Sequence, residues 1–450
     1  MRTASALKLR GSKRTRQRES ARDVPDWQVA ADLKEPARQK IAMAGAVLRD
    51  AAFLVSLNYT STSYDAFLFE RGRSPDANAT RAAHFAENLR MIREHNARYA
   101  AGLEQWYMGL NEFADWSPAE RRRLRKRQKH LGILVPDTPR SRRTALSDLE
   151  DGSTLPTAVD WRTKNVSGLW GASPSPLGPV NTQGSCGACW AFSATQTLEA
   201  HLAIATGKHV RLSAQSLLDC VDNQLECGGK GGCDGAIEEL GYEHAKAHGV
   251  PLEDDYAYTA RDGACNTTVE PAVFADGYVK LPRNEALPLQ RALATVGPVS
   301  ISVAAGAWDF YAGGVFDGCT GNEGAEQDHG VQAVGYTKDA WIIKNSWGAD
   351  WGEKGYIYLS RANDTSPLAT DHNPAVGSAC KDTVGGKYPE TVEVRGMCAC
   401  LSDSSYPTGV RAADGLLQRV ERREAGFRRL AAADVGRGRR RAAPGVLMPK

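Results

Sequence analysis

A thiol and an imidazole are the two side chains of this sequence whose settings suggest chemistry. Cys189 closes the stretch Gln183-Gly-Ser-Cys186-Gly-Ala-Cys189-Trp-Ala-Phe192, and from Trp190 to Thr206 apolar residues recur at helical spacing. Cys189 is therefore expected at a helix N-terminus, where the helix dipole stabilises the thiolate, the nucleophilic form of cysteine. A neighbouring imidazolium would lower its pKa further. His329, in Asp328-His329-Gly330, stands 140 residues downstream. It directly precedes Val331 to Tyr336, an apolar run that reads as a strand able to fix its ring. Asn345, in Lys344-Asn345-Ser346-Trp347-Gly348, could accept a hydrogen bond from that ring and so orient it. A C-x-x-C pair can also be a redox couple or half of a zinc site. No second C-x-x-C accompanies this one, and a bridge between Cys186 and Cys189 would consume the nucleophile.

These residues need elements to hold them. Val299 to Val303, Val331 to Tyr336, Trp341 to Lys344 and Tyr356 to Leu359 are short, apolar or alternating, and bounded by Gly, Asp or Asn, so they read as strands. Helices first and strands later predict an α+β domain with a cleft between two halves. Upstream, Phe85, Leu89 and Ile92 recur at helical spacing within an Ala-, Arg- and Glu-rich segment, predicting one or two amphipathic helices between Tyr64 and about Ala101. The aperiodic, polar stretch from about Pro136 to Thr154 reads as a linker.

At 450 residues the chain is long enough for two or three folding units. Hydrophobic content of 42% beside 24% charged residues suits a soluble protein, and no run of about 18 apolar residues offers a membrane span. The net charge of +3 hides local basic runs: Arg121 to Lys129, the N-terminal stretch and the segment after Pro407. No zinc finger, RNA-binding signature or basic zipper accompanies them, so nucleic acid is not an expected partner. All ten cysteines lie between Cys186 and Cys400, which sets the middle of the chain apart as a disulfide-constrained domain. Sequons at Asn58, Asn78, Asn165, Asn266 and Asn363 are compatible with a secretory route. The first 40 residues are basic and polar rather than signal-like, and the apolar stretch Ile41 to Leu57 is interrupted by Arg49 and Asp50.

The cysteine, histidine and asparagine motifs, in this order, resemble the papain family of cysteine peptidases. The resemblance implies a two-lobed fold, a helical lobe facing an antiparallel β-barrel-like lobe across the active-site cleft. It implies an endopeptidase working through a thioester acyl-enzyme, with Gln183 in the oxyanion hole and Trp347 shielding the Asn345 to His329 bond. Arg81, Phe85, Asn88, Ile92 and Asn96 resemble the helical motif of cathepsin L-like propeptides, and Gly109-Leu-Asn111-Glu-Phe113-Ala-Asp115 resembles its second motif. Ala77 departs from that pattern, which begins with Glu.

A division follows: extension 1–58, inhibitory propeptide 59–135, processing linker 136–154, peptidase domain 155–407 and disordered basic tail 408–450. The basic run at Arg121 is expected in processing-accessible linker. Expected partners are protein or peptide substrates, the propeptide as intramolecular inhibitor, and cystatin-like inhibitors. The resemblance further implies a monomer, no cofactor and no metal, and a lysosomal, vacuolar or extracellular location.

Three disulfides are also implied: Cys186 with Cys233, Cys220 with Cys265, and Cys319 with Cys398. Cys227, Cys380 and Cys400 remain, giving one further bridge and one free thiol; Cys380 sits in an insertion relative to the family. Gly235 and Ala236 would line the substrate strand, Ala236 standing where a second Gly is usual. Asp403 is placed at the floor of the pocket for the second residue before the cut, with Ile237, Glu238, Ser302 and Gly330 on its walls. An acidic floor there implies acceptance of Arg beside Leu or Phe.

Overall fold

The computed structural model describes residues 63–74, 78–125, 155–164, 175–321, 324–383 and 385–420, all within one compact unit. The extension 1–58, Ala77, the linker 136–154, most of the Gly- and Pro-rich loop before Gln183 and the chain beyond 420 lie outside the described residues.

The N-terminal unit is built on α1 (Tyr64–Glu70) and α2 (Ala79–Ala100). The Asn78 side chain caps α2 by accepting from the Thr80 and Arg81 amides. Phe85, Asn88, Leu89, Ile92 and Asn96 are spaced to share one face of α2, and that face is buried. Its polar members hold the chain that follows. Asn96 donates to the Met108 carbonyl and accepts from the Met108 amide, both at 2.8 Å, pinning β1 (Trp106–Met108). Asn88 donates to the Ala114 carbonyl at 2.9 Å. A Ser117–Glu120 capping box with Pro118 in the first turn starts α3 (Pro118–Arg121), which runs into a 3₁₀ turn, Arg122–Leu124.

The second unit opens with β2 (Val159–Asp160) and a helical lobe of α4 (Cys189–Thr206), α5 (Ala214–Cys220) and α6 (Glu238–Ala247). Gly207, at φ 68°, ends α4 in the left-handed conformation. Then come β3 (Val273–Phe274), β4 (Gly277–Lys280) and α7 (Ala286–Thr295), followed by β5 (Val299–Val303), β6 (Tyr311–Phe316), β7 (His329–Tyr336), β8 (Ala340–Lys344) and β9 (Tyr356–Ser360). A hairpin of β10 (Ala369–Asp371) and β11 (Val392–Val394) precedes β12 (Ser404–Thr408) and β13 (Arg411–Ala412).

The main sheet has the order β1-β6-β9-β8-β7-β5-β12-β4, with β2 added on β7. No pairing joins its two ends among the described residues, so the sheet lobe stays open rather than closing as a barrel. β5, β7 and β8 are buried along their whole lengths, and the polar residues they carry, among them Ser300, Ser302, His329 and Gln332, are buried with them.

The N-terminal unit shares a core with the sheet. Phe67, Phe85, Ile92, Trp106 and Phe113 belong to the same buried cluster as Trp308, Tyr311, Phe316 and Trp347. β1 continues the sheet as its edge strand, Trp106 opposite Gly314, and the Trp106 ring lies 4.5 Å from Phe316. A separate cluster containing Trp190, Leu198, Leu217 and Tyr242 forms the core of the helical lobe.

The bridges Cys186–Cys233, Cys220–Cys265 and Cys319–Cys398 are present. The further pair is Cys227–Cys380, and Cys189 and Cys400 are free. Two expectations need correction. The fold does not stop at Pro407: β13 pairs with β3 and Leu416 is fully buried in the helical-lobe core, so residues 408–420 belong to the domain. Nor are Arg121 to Arg125 open linker. Arg121 and Arg125 are buried, because each finds a carboxylate of the sheet lobe.

Candidate active site

Cys189 is the first residue of α4 and is buried. His329 is the first residue of β7, and the two element starts lie against each other. A Cβ built on Gly330 would stand 3.3 Å from Trp190 Cα, and Ser193 Oγ donates to the Val331 carbonyl at 2.8 Å. A Cβ at 330 would meet the Glu238 carboxylate first and then press on the first turn of α4.

His329 Nε2 lies 2.8 Å from Asn345 Oδ1. An amide oxygen only accepts, so Nε2 carries the proton and Nδ1 is left for proton exchange with the thiol. Asn345 and Trp347 are buried, and the indole packs on the imidazole with centroids 4.8 Å apart, keeping water from the bond. Trp308 meets the same imidazole edge-on at 6.2 Å.

Gln183 is positioned by a residue the sequence reading did not single out. Ser346 Oγ donates to Gln183 Oε1 at 2.6 Å, and the Gln183 backbone N–H donates to the Ser346 carbonyl at 2.9 Å. With its oxygen end held, Gln183 Nε2 faces the cleft and donates to Cys186 O at 2.8 Å and to Leu124 O at 2.9 Å. The Trp347 indole N–H reaches the same Leu124 carbonyl at 3.4 Å. Asn345, Ser346 and Trp347 thus serve in succession to orient the histidine, hold the glutamine and cover the imidazole. Tyr258 donates to the Gln183 carbonyl at 2.7 Å, and burial, then the nearby Cys189 sulfur, hold its phenol well above the usual range, so it stays a donor.

The propeptide is fastened on both sides of Leu124. Arg121 Nε pairs with Asp309 Oδ2 at 2.7 Å while its guanidinium stacks on Phe310. Arg125 takes Asp309 Oδ1 at 2.9 Å, the Ala305 carbonyl at 3.1 Å and Asp328 Oδ2 at 3.1 Å, the residue before His329. Asn111 adds a bond to the Asp309 carbonyl at 2.8 Å. The i, i+4 spacing of Arg121 and Arg125 was visible, but a solvated charge run and a buried clamp look alike in sequence until Asp309 is placed.

Of the expected pocket residues, Ser302 and Gly330 face each other across β5 and β7. The Glu238 carboxylate packs directly against Gly330. Ile237 is buried, and Gly235 takes φ 99°, so the positive φ falls there while Ala236 is fully buried without it. Asp403 departs from its expected role. Its amide neighbourhood is right, since its carbonyl accepts from Ser302 N at 3.0 Å, but its carboxylate is turned onto Lys280 Nζ at 2.7 Å. Lys280 also reaches Glu239 at 3.3 Å. Asp403 is neutralised within the fold and does not supply an acidic floor.

The chain matches two family models: the papain family cysteine protease over residues 155–375 and the cathepsin propeptide inhibitor domain over residues 58–120. This chain belongs to the papain family of cysteine proteases. It is 35% identical to rat procathepsin L over 64% of this chain and 84% of that one. It is 38% identical to the oryzain beta chain of rice over 66% of this chain, spanning 62% of that relative's length. Among solved structures it resembles a recombinant stem bromelain precursor, with TM-score 0.57 and 28% identity, covering 77% of this chain and 97% of that one. A digestive procathepsin L 3 from Tenebrio molitor larval midgut matches at TM-score 0.56 and 27% identity, covering 76% of this chain and 96% of that one. The chain is accordingly a papain-family protease joined to its propeptide, and no described helix is long and apolar enough to cross a membrane.

In the matured enzyme, Gln183→Ala is expected to lower kcat by about 10²- to 10³-fold. Ser346→Ala should act in the same direction but less, since Gln183 stays and only its orientation loosens. Steady-state kinetics with a peptide amide reads both, and an unchanged kcat for Gln183→Ala removes Gln183 from the site.

Proposed function

We propose that the chain is the precursor of a cysteine peptidase in which Cys189 is the nucleophile and His329 its acid-base partner. The Cys189 thiolate attacks the substrate carbonyl carbon, and the developing oxyanion is met by Gln183 Nε2. His329, oriented by Asn345, gives its proton to the departing amine as the thioester forms. His329 then takes a proton from water, which attacks the thioester and releases the acid and the thiol.

The observation that carries this reading is the Leu124 carbonyl bonded to Gln183 Nε2. The propeptide places a carbonyl oxygen on the donor that a substrate oxyanion needs, so the precursor is closed at its catalytic centre. A non-catalytic relative used for binding would have no call for this blockade of an intact site. Substrates are peptides or unfolded segments laid along Gly235 and Ala236, with the second residue before the cut entering between Ser302, Gly330 and Ile237. Cystatin-like proteins fit as inhibitors of the opened cleft, and four disulfides support a compartment on the secretory route.

Opening by acid has a candidate sensor. His95, on α2, lies on the Trp106 ring with centroids 4.0 Å apart, and its Nε2 is 3.0 Å from the Trp106 carbonyl. Burial pushes the imidazole below its ordinary 6.5, against a weaker opposing pull from the Trp106 carbonyl, Glu104 and Asp317; Arg98 adds to the lowering. A histidine held neutral in the fold contributes stability above its unfolded pKa. That contribution is lost as pH falls below 6.5 toward the folded value, and it is lost where β1 is pinned to the sheet.

Two measurements test this reading. Cys189→Ser should fold, keep its propeptide and show no turnover of a peptide amide at any pH; residual activity would place the nucleophile elsewhere. His95→Gln keeps a donor for the Trp106 carbonyl without the titration, so its midpoint of autoactivation should move to lower pH. A midpoint equal to that of the wild type removes His95 from the trigger.

A further inference from the structure

The insertion that carries Cys380 does more than decorate the sheet lobe. Between β10 and β11 the chain leaves the sheet lobe and attaches to the loop that joins α5 to α6. The Cys227–Cys380 disulfide makes the attachment covalent. Around it, Gly228 N donates to Ala379 O at 2.9 Å, Lys381 N donates to Leu225 O at 2.8 Å, and Tyr388 Oη donates to Glu226 O at 2.6 Å. The Lys381 ammonium pairs with the Glu226 carboxylate at 2.8 Å.

The other edge of the same segment grips the sheet lobe beside the active site. Ser378 Oγ donates to Gln327 Oε1 at 3.0 Å, and Gln327 N lies 3.3 Å from Asp371 Oδ2. Gln327 stands two residues before His329, and its Nε2 donates to the Ser302 carbonyl at 2.9 Å. Ala375 and Val376 are buried.

Gly377 shows how narrow the space between the two attachments is. A Cβ built on it would stand 2.9 Å from the Gln327 Cβ, while its own carbonyl oxygen lies 2.7 Å from a Cβ built on Gly228. That same Gly228 position is 2.9 Å from the Ala236 carbonyl and from Ile237 Cγ2. One backbone therefore fills the gap between the loop that lines the substrate strand and the wall that holds Ser302. Neither glycine has room for a side chain.

We propose that this disulfide-tied segment is a strap that ends the cleft beyond the pocket for the second residue before the cut. The proposal rests on the peptidase reading above. A substrate strand running along Ala236 meets the Gly377 backbone and must turn away from the cleft, losing its contacts. Residues further from the cut then pull those nearer it out of their contacts with the transition state, and so cost rate. Bonds close to an amino terminus become the good substrates and bonds deep inside a chain the poor ones. The tie also fixes the distance between the two lobes at this end, so the cleft does not widen to admit a longer strand.

The test uses the full chain, matured by acid, with two reporters: acetyl-Phe-Arg amide and acetyl-Ala-Ala-Phe-Arg amide, both cleaved after Arg. The wild type should turn over the longer reporter with kcat/KM about tenfold lower, a loss on the scale of one or two hydrogen bonds. Equal or faster turnover of the longer reporter overturns the strap. In Cys227→Ser/Cys380→Ser the longer reporter should recover most of that loss while the shorter one keeps its rate. A parallel change in both, or no change in either, contradicts a tethered end wall. The wild-type comparison decides even where that variant fails to fold. Absence of turnover for both reporters, with Cys189 unreactive, instead sinks the peptidase reading and the strap with it.

Discussion

The proposed chemistry depends on how closely the first turn of α4 approaches the first residues of β7. The helix brings a thiol to its N-terminus, where the dipole favours the thiolate. The strand brings an imidazole. The two belong to different lobes with different cores, and Gly330 leaves the space between the strand and both Glu238 and Trp190 clear of a side chain. Ser193, on the next helical turn, then ties the helix to the Val331 carbonyl. Three consecutive residues after β8 finish the arrangement, Asn345 bonded to the histidine, Ser346 to Gln183 and Trp347 packed on the imidazole, so one short segment sets the tautomer, holds the glutamine and keeps water from the histidine.

The inhibited state draws on the same groups. The propeptide adds its aromatic residues to the sheet-lobe core and extends the sheet by a strand, which carries the chain to the cleft without a separate docking surface. Arg121 and Arg125 then fix the intervening Leu124 carbonyl on Gln183. Buried ion pairs of this kind are costly to break by removing one partner, on the order of 3–5 kcal/mol. They gain little over apolar packing, so their value here is placement: a shared acceptor, Asp309, sets the spacing of two arginines and hence the position of the carbonyl between them.

The positions of Cys189 at a helix start and of His329 at a strand start, and the helix of the N-terminal unit, were legible in the sequence, because a helix N-terminus, an apolar strand and a 3.6-residue stripe leave local patterns. Three disulfides followed from the family resemblance. What was not legible depends on side chains distant in sequence. Asp403 was placed at the pocket by position, but Lys280, on a strand far upstream, claims its carboxylate. The run at Arg121 looked like solvated charge because its partner Asp309 lies in the other unit. Residues after Pro407 looked like tail, yet a two-residue strand and one buried leucine are too short to show periodicity. Cys227 and Cys380 could not be paired until the insertion was seen to cross to the helical lobe.

The central claim is that a competent thiolate lies beneath a propeptide carbonyl. The most direct measurement is labelling with an epoxide thiol probe, located by mass spectrometry, on the full chain at neutral pH and after acid activation. The account predicts no label on the intact precursor, and after activation a single label on Cys189 in a chain that has lost Leu124 and Arg125. Labelling of Cys189 in the intact precursor at the activated rate, or of another cysteine after activation, would contradict it.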